Sequence, residues 1–277
     1  MKAKSNVTFV DVLLLAVFFL LVLATIFPLL WMLSTSLKDA KEAMAIPPAL
    51  FPKSLYLGNY AKIAADEYFP RYFLNSVIMS VAITLIAVAG STLMGYVFAK
   101  FEFPCKRTLF YAILITIMVP FEAYIVPLYG FVMKIHALNT YPGLIIPSII
   151  SSFGIFFMKQ NMESIPDVLI EAAKVDGASN FFIFRKIVLP LSRSSISVLS
   201  ILLFLVAWSD YLWPLLVSSQ KKMYVLEIGL ALLQNEYFVD YGLMMAGSVV
   251  SLVPGLLLFI FFRRFVMQGI ALTGIKG

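Results

Sequence analysis

Two carboxylates are the side chains best placed for chemistry in this sequence. Glu122 and Asp210 each interrupt a long apolar run. An ionisable side chain inside a membrane span is energetically costly, and such residues are commonly paired or functional. We therefore predict that both residues face a cavity between helices, where a carboxylate could bind the hydroxyl groups of a solute.

The residues around Asp210 extend this prediction. Ser209 precedes it, and Tyr211 and Trp213 follow. Aromatic faces next to polar groups suit sugars, which stack their rings and hydrogen-bond through their hydroxyls. Tyrosine and tryptophan are also enriched where a membrane meets water, so Tyr211 and Trp213 could instead be interfacial anchors.

The sequence lacks the residue sets that enzymes and metal sites need. Cys105 is its single cysteine and His136 its single histidine, so neither an internal disulfide nor a thiolate cluster can form. It contains no Gly-Lys-Ser/Thr phosphate loop, so the chain is not itself an ATPase. An intramembrane protease would need a Ser/His pair, paired aspartates or a His-Glu-x-x-His motif. We therefore predict a non-catalytic chain with no cofactor or metal of its own.

Composition identifies the elements that position these residues as membrane helices. The chain is 61% hydrophobic and 13% charged, with a mean hydropathy of +0.95, whereas soluble domains are about half apolar and a quarter charged. A span needs about 20 apolar residues. We predict an all-α integral membrane protein with a single domain, 1–277, and six spans. The spans are predicted at 12–33, 73–99, 108–126, 144–158, 196–217 and 243–262.

Two of these runs are interrupted. The run 144–158 is short and contains Pro147, and the run 108–126 contains Pro120 and ends near Pro127. Broken helices are tolerated where protein or a water-filled cavity satisfies the freed backbone groups. We expect both around the translocation path, although kinked packing helices would look the same.

Charge sets the orientation. Lysine and arginine are more numerous at the two ends and in the loops near 100–107 and 159–195 than in the alternate loops. The positive-inside rule then places both termini and the 159–195 loop in the cytoplasm. The net charge of +6 is spread between the apolar runs, so no nucleic-acid partner is expected.

The 159–195 loop begins with a predicted short helix. Pro166 suits a helix start, and Asp167 complements the positive end of the helix dipole. The helix is predicted to reach about Val175. Gly177 can then adopt the left-handed conformation that ends it.

A second helix is predicted to follow. Ser179 can cap it, and it should end near Val188 because Pro190 disfavours helix at the preceding residue. This helix carries three phenylalanines, at 181, 182 and 184, which need an apolar partner. A surface hairpin packed on its own membrane domain would also satisfy these features.

The spacing within this loop resembles a known family. Glu-Ala-Ala is followed by three residues, glycine, nine residues, isoleucine, one residue and Leu-Pro, as in the "EAA" loop of permease subunits of binding-protein-dependent ABC importers. In that family the ATPase acts on this loop. The resemblance implies an ATPase-coupling role for Glu171, Ala172, Ala173, Asp176, Gly177, Ile187, Leu189 and Pro190.

Further segments resemble the carbohydrate, maltose-type group of that family. The Asp210 segment is similar to its fifth helix, with Ser209 where asparagine is usual. The sequences at 73–76, 95–101 and 269–277 also match its patterns. The resemblance implies six transmembrane helices of the type I ABC importer permease fold, with a cytoplasmic helix-turn-helix and a tail that contacts the ATPase.

The same resemblance implies function and partners. The chain would be the permease of a bacterial plasma-membrane importer for an oligosaccharide or sugar derivative. Its partners would be a second permease in a heterodimer, two ATP-binding cassette subunits that hold ATP and Mg²⁺, an extracytoplasmic sugar-binding protein and the lipid bilayer. The external loops 34–72 and 218–241, with short helices near 40–44 and 59–65, are candidate docking surfaces.

The alternative is an ion-gradient-driven secondary transporter. That class needs internal repeats and several coordinating side chains within the membrane. Glu122 and Asp210 are few for that purpose.

Overall fold

The computed structural model describes residues 9–234 and 240–273, with side chains to Arg264, and most of this part is helical. No strand occurs within those ranges. The α-helices are α1 Phe9–Ser36, α2 Ala40–Ala43, α3 Gly58–Ala65, α4 Phe69–Lys100, α5 Lys106–Ile117, α6 Phe121–Lys134, α7 Tyr141–Ile145, α8 Ser152–Glu163, α9 Asp167–Val175, α10 Asn180–Ile183, α11 Leu189–Leu191, α12 Arg193–Trp208, α13 Leu212–Val217, α14 Leu226–Gln234 and α15 Tyr241–Thr273.

Three of these helices, α1, α4 and α15, are long and apolar enough to cross a membrane on their own. Three more candidates are bent pairs. α5 and α6 meet at 99°, the segment Tyr141–Ser148 meets α8 at 46°, and Asn180–Leu191 meets α12 at 76°. The described helices therefore allow six spans if each bent pair counts as one.

The bent pairs depart from the predicted bounds of the third and fifth runs. α6 continues through Pro127 to Lys134, and the chain breaks instead just before α6, next to Pro120. The run 196–217 is not one helix, because α12 stops at Trp208 and α13 starts at Leu212.

One compact unit comprises residues 68–229 together with the chain from 253 onward. Within it, α4 packs along α8 and α12. The crossing of α4 and α8 is close, since a Cβ added to Gly95 would lie 2.6 Å from the Cβ of Met158. Glycine is needed at that point for the two backbones to approach.

The other unit contains the described residues up to 67 and those between 230 and 252. Its loop after α1 is tied together by Asn59, whose buried amide donates to the carbonyls of Ser36 at 2.9 Å and Lys38 at 2.8 Å. Helices α2 and α3 fall where short helices are predicted.

Candidate functional site

The segment 165–191, called the coupling hairpin after its predicted role, turns at Gly177. This residue has φ +79° and follows the last residues of α9. The N–H of Gly177 donates to Lys174 at 3.0 Å, and that of Ala178 donates to Ala173 at 2.9 Å. This is the Schellman arrangement, in which a left-handed residue lets two terminal carbonyls be satisfied. The predicted turn at Gly177 is confirmed.

The second arm starts as predicted and continues further than predicted. The hydroxyl of Ser179 accepts the N–H of Phe182 at 3.2 Å and caps α10. The prediction that this helix ends near Val188 is wrong. A π-helical turn, Phe184–Val188, joins α10 to α11, which contains Pro190.

The π turn explains how the chain stays helical through a proline. The N–H of Leu189 donates to the carbonyl of Phe184, five residues back. A proline in a regular α-helix loses one hydrogen bond and its ring clashes with the carbonyl four residues earlier. The wider turn shifts those carbonyls, so that Pro190 enters at the start of a new helical segment.

One face of the hairpin is buried against the membrane helices. Ile165, Ile170, Ile183 and Val188 are each less than 10% exposed. They form a core cluster with side chains from α4, α8 and α12, namely Tyr96, Met158, Met162 and Leu199. The hairpin is therefore packed against three membrane helices, α4, α8 and α12. A displacement of the hairpin would disturb its packing against all three.

A charged contact adds to this attachment. The ammonium group of Lys100, at the last residue of α4, lies 2.6 Å from the carbonyl oxygen of Ile165 and 2.7 Å from Oδ1 of Asp167. The Lys100 side chain is only 5% exposed. This contact bonds the last residue of α4 to the first residue of α9.

Several large apolar side chains of the hairpin are uncovered. Val175 is 88% exposed and Phe181 is 69% exposed. Val168, Leu169 and Phe182 are also exposed. An uncovered apolar patch of this kind marks a surface that contacts another protein or a membrane.

The eight predicted coupling residues divide by exposure. Those of the first arm and turn are exposed: Glu171, Ala172, Asp176 and Gly177. The remainder are half-buried: Ala173, Ile187, Leu189 and Pro190. Their role in coupling stays a prediction, and their placement separates an outward set from a set that attaches the hairpin.

The candidate substrate path is centred on a break in the fifth run. Asp210 lies between α12 and α13, and its Oδ1 accepts the N–H of Trp213, in the first turn of α13, at 3.4 Å. Ser209 donates its hydroxyl hydrogen back to the carbonyl of Leu205 at 2.7 Å. Tyr211 is 41% exposed. Tyr211 is exposed and Asp210 is half-buried, and their contact with a substrate stays a prediction.

Trp213 is in the protein core. It is 1% exposed, and its indole N–H donates to the carbonyl of Gly143 at 3.0 Å. Its ring meets that of Phe121 edge to face, with centroids 6.2 Å apart. In this conformation Trp213 can neither stack on a sugar nor anchor the chain at an interface, which corrects both readings of this residue.

Glu122 lies at the bend between α5 and α6. It is exposed in the first turn of α6, where a carboxylate complements the helix dipole. Its neighbour Phe121 contacts Trp213, so the breaks that carry Glu122 and Asp210 occur in adjacent helices. Their common role on a substrate path stays a prediction.

Sequence reasoning missed two amide side chains that bind the backbone of a distant loop, one buried and one partly exposed. Asn75 is completely buried, and its Nδ2 donates to the carbonyls of Lys222 and Tyr224. Asn139 has φ +57°, and its Oδ1 accepts the backbone N–H groups of Ser219 and Gln220. The available signal was a lone amide at the edge of an apolar run.

His136, the only histidine, also has a structural place. It follows α6 with φ +55°, and its N–H donates to Met133. Among the residues that the structure describes, no group of three or more histidine, cysteine and carboxylate side chains could hold a metal ion.

Comparison with known proteins agrees with this geometry. Residues 63–268 match the family described as "Binding-protein-dependent transport system inner membrane component". The chain is 36% identical to an arabinooligosaccharides transport system permease protein of Halalkalibacterium halodurans, over 91% of each chain. It is 34% identical to a diacetylchitobiose uptake system permease protein of Streptomyces coelicolor, over 86% of this chain and 80% of the relative.

A solved structure shares the fold. It is a bacterial ABC transporter involved in the import of the acidic polysaccharide alginate, with a TM-score of 0.80 and 19% identity, and the match covers 96% of this chain and 99% of that one. The predicted type I importer permease fold is therefore confirmed. The chain belongs to the family of inner-membrane components of binding-protein-dependent transport systems, the permease subunits of ABC importers.

Proposed function

We propose that this permease carries an oligosaccharide or sugar derivative across the bacterial plasma membrane, driven by ATP hydrolysis on separate subunits that dock on residues 159–195. Relatives at 36% and 34% identity are named for arabinooligosaccharides and diacetylchitobiose. A third, at 30%, is an sn-glycerol-3-phosphate permease of Pectobacterium atrosepticum. These names support a carbohydrate or a small sugar-like polyol as cargo.

The observation that carries the proposal is the two-faced coupling hairpin. Its outer face exposes apolar side chains beside Glu171, and its inner face is buried against α4, α8 and α12. An ATPase subunit would cover the outer face. Because the inner face is buried among ends of membrane helices, movement of the ATPase would be transmitted to the spans.

Transport then needs no bond chemistry in this chain. When the ATPases close on ATP and Mg²⁺, the hairpin moves and the spans turn from inward-open to outward-open. Glu122, Ser209, Asp210 and Tyr211 would offer the cargo carboxylate, hydroxyl and aromatic groups at the helix breaks. No cofactor is proposed for this chain.

The assembly would contain a second permease, two ATP-binding cassette subunits and an extracytoplasmic sugar-binding protein. One solved relative in fold is an alginate ABC transporter in complex with an alginate pentasaccharide-bound periplasmic protein (TM-score 0.60, 17% identity). Both termini would lie in the cytoplasm. The predicted ATPase contact falls on the tail 269–277, where residues 274–277 and the side chains of 269–273 lie outside the described part.

Reconstitution tests the energy source. The complete complex in proteoliposomes should take up labelled oligosaccharide only with ATP on the hairpin side and binding protein on the other. Ionophores that collapse proton and sodium gradients should leave uptake unchanged. Uptake driven by an ion gradient without ATP would instead establish a secondary transporter.

Cys105 tests the orientation. It is exposed, and it precedes α5 at the end predicted to be cytoplasmic. An impermeant maleimide should spare Cys105 in intact cells and label it after lysis. Labelling from outside would invert the topology and remove the hairpin from the ATPase.

A further inference from the structure

The helix α4 differs from the other long helices in being free of interior breaks. It runs for 32 residues, about 48 Å, with proline only in its first turn. The other two long helices described contain interior prolines, Pro28 in α1 and Pro254 in α15, and the remaining candidate spans are bent pairs. Sharp kinks occur mostly at prolines, so α4 is suited to move as one rigid body.

The cytoplasmic end of α4 binds the coupling hairpin through Lys100. The ammonium group binds both the Ile165 carbonyl and the Asp167 carboxylate, at 2.6 and 2.7 Å. These are charge-assisted hydrogen bonds to a largely buried cation, which are shorter and stronger than neutral ones. The hairpin therefore cannot shift at its first residues without pulling on α4 or breaking this contact.

The other end of α4 binds an external loop, residues 218–226. Asn75 donates to the carbonyls of Lys222 at 3.0 Å and Tyr224 at 2.8 Å, and its own oxygen accepts the Tyr141 hydroxyl at 2.7 Å. Two neighbouring contacts reinforce it. Arg71 donates to Lys222 at 2.8 Å, and the Ser76 hydroxyl accepts the N–H of Leu226 at 2.8 Å.

Neither set of hydrogen bonds is required for α4 to form. At each end, side chains of α4 bind the backbone of a loop that is distant in sequence: Lys100 and Ile165 are 65 residues apart, and Asn75 and Lys222 are 147 apart. Asn75 and Lys100 are 25 residues apart on α4, which corresponds to about 37 Å along the helix axis.

We propose that α4 is a strut that links the external loop 218–226 to the coupling hairpin, with Asn75 and Lys100 as its positioning residues. A sugar-loaded binding protein pressing on the external loop would thereby change the activity of the ATPases on the other side. The proposal rests on the importer function proposed above. It assigns the signal to one helix and two side chains.

Coupling between two sites is a free energy, and typical values correspond to changes of about 5- to 150-fold. The quantity to measure is the ratio of ATPase activity with loaded binding protein to basal activity, in the full reconstituted complex. Lys100→Met keeps the aliphatic stem and removes the charge. It should lower this ratio by about fivefold or more, and because the ratio is normalised to basal activity, a change in the basal rate alone would not produce that loss.

Matched variants separate the strut from general damage. Lys106→Met removes another cytoplasmic lysine that is paired with a carboxylate, Glu102 at 2.9 Å, and should leave the ratio unchanged. Lys100→Arg keeps the positive charge and should retain most of the wild-type ratio. If Lys100→Met fails to accumulate in the membrane, Asp167→Asn weakens the same contact from a 71% exposed position and should lower the ratio in the same direction.

A double-mutant cycle tests the link itself. Asn75→Ala should also lower the ratio, and Arg71→Ala replaces it if the buried substitution prevents folding. The double variant with Lys100→Met should then show no more loss than the stronger single variant, because a strut cut at either end transmits nothing. Sites this far apart normally show additive effects.

The outcomes are distinct. A wild-type complex that no binding protein stimulates would reject the importer function rather than the strut. Normal stimulation in Lys100→Met, or single effects that multiply in the double variant, would show that the two ends act independently, and the strut would be abandoned.

Discussion

Two aromatic regions of this permease are used in opposite ways. Phe181 of the coupling hairpin is 69% exposed, whereas Trp213 beside the helix break at Asp210 is 1% exposed. Both belong to short helices that follow a turn. Trp213 has a partner within the chain for its ring and its N–H, whereas most of the Phe181 side chain is left uncovered by the described residues. Trp213 thus stabilises the fold, whereas Phe181 is available to contact another molecule.

Trp213→Ala should have the largest effect. Removing a buried tryptophan costs about 3–5 kcal/mol, and here the Gly143 carbonyl also loses its donor. We expect loss of folded permease from the membrane, measured as abundance and as the thermal unfolding midpoint of purified protein. Trp213→Phe retains most of the ring packing and should be much milder. Normal abundance of Trp213→Ala would mean that the two regions do not differ as described.

Gly177→Pro should abolish coupling and spare the spans. Proline fixes φ near −65°, and the turn needs +79°, so the second arm would be redirected. We expect membrane insertion as in the wild type, with loss of ATPase co-purification and of sugar uptake. Gly177→Asn is the control, because asparagine tolerates the left-handed conformation. Full uptake by Gly177→Pro would remove the hairpin from the mechanism.

Phe181→Ala should weaken ATPase binding at unchanged abundance. Its side chain contributes little to the fold because most of it lies outside the chain's own packing. Val206→Ala, on α12, has the same exposed fraction of 69% and should leave ATPase binding unchanged. Co-purification at increasing salt and detergent measures the difference. Equal behaviour of the two variants would mean that lipid, rather than a subunit, covers Phe181.

Asp210→Ala and Glu122→Ala should have the smallest effect on the protein itself. The first removes a hydrogen bond of 3.4 Å to the first turn of α13, and the second removes an exposed carboxylate. We expect normal assembly with altered uptake. Asp210→Asn keeps the accepting oxygen and separates charge from structure. If abundance falls in proportion to uptake, these carboxylates serve the fold.

Local features were predictable from the sequence and distant ones were not. The turn at Gly177 and the cap at Ser179 depend on residues within a few positions, so their types sufficed. The partners of Lys100 and Asn75 lie 65 and 147 residues away, and no periodic pattern encodes them. The burial of Trp213 depends likewise on Gly143, which the fold brings beneath it.

The helix breaks fall between these cases. Pro120 signalled an interruption near the bend of α5 against α6, but its 99° angle depends on what the two helices pack against. Pro190 signalled a helix end that did not occur, since the turn before it widened. Proline marks where the backbone must adapt, and tertiary packing decides whether it bends, breaks or continues.

The π turn at Phe184–Val188 also bears on how this segment tolerates changes of length. A π turn places one extra residue in a helix, and each residue of an α-helix turns the chain by about 100°. Because the wider turn takes up this residue, deleting one residue there would restore a regular α-helix and leave the buried Val188 close to its cluster, whereas inserting a second residue would turn it away by about 100°. The nine residues between Gly177 and Ile187 should therefore accept the loss of one residue more readily than a gain, unlike a surface loop, which would accept either.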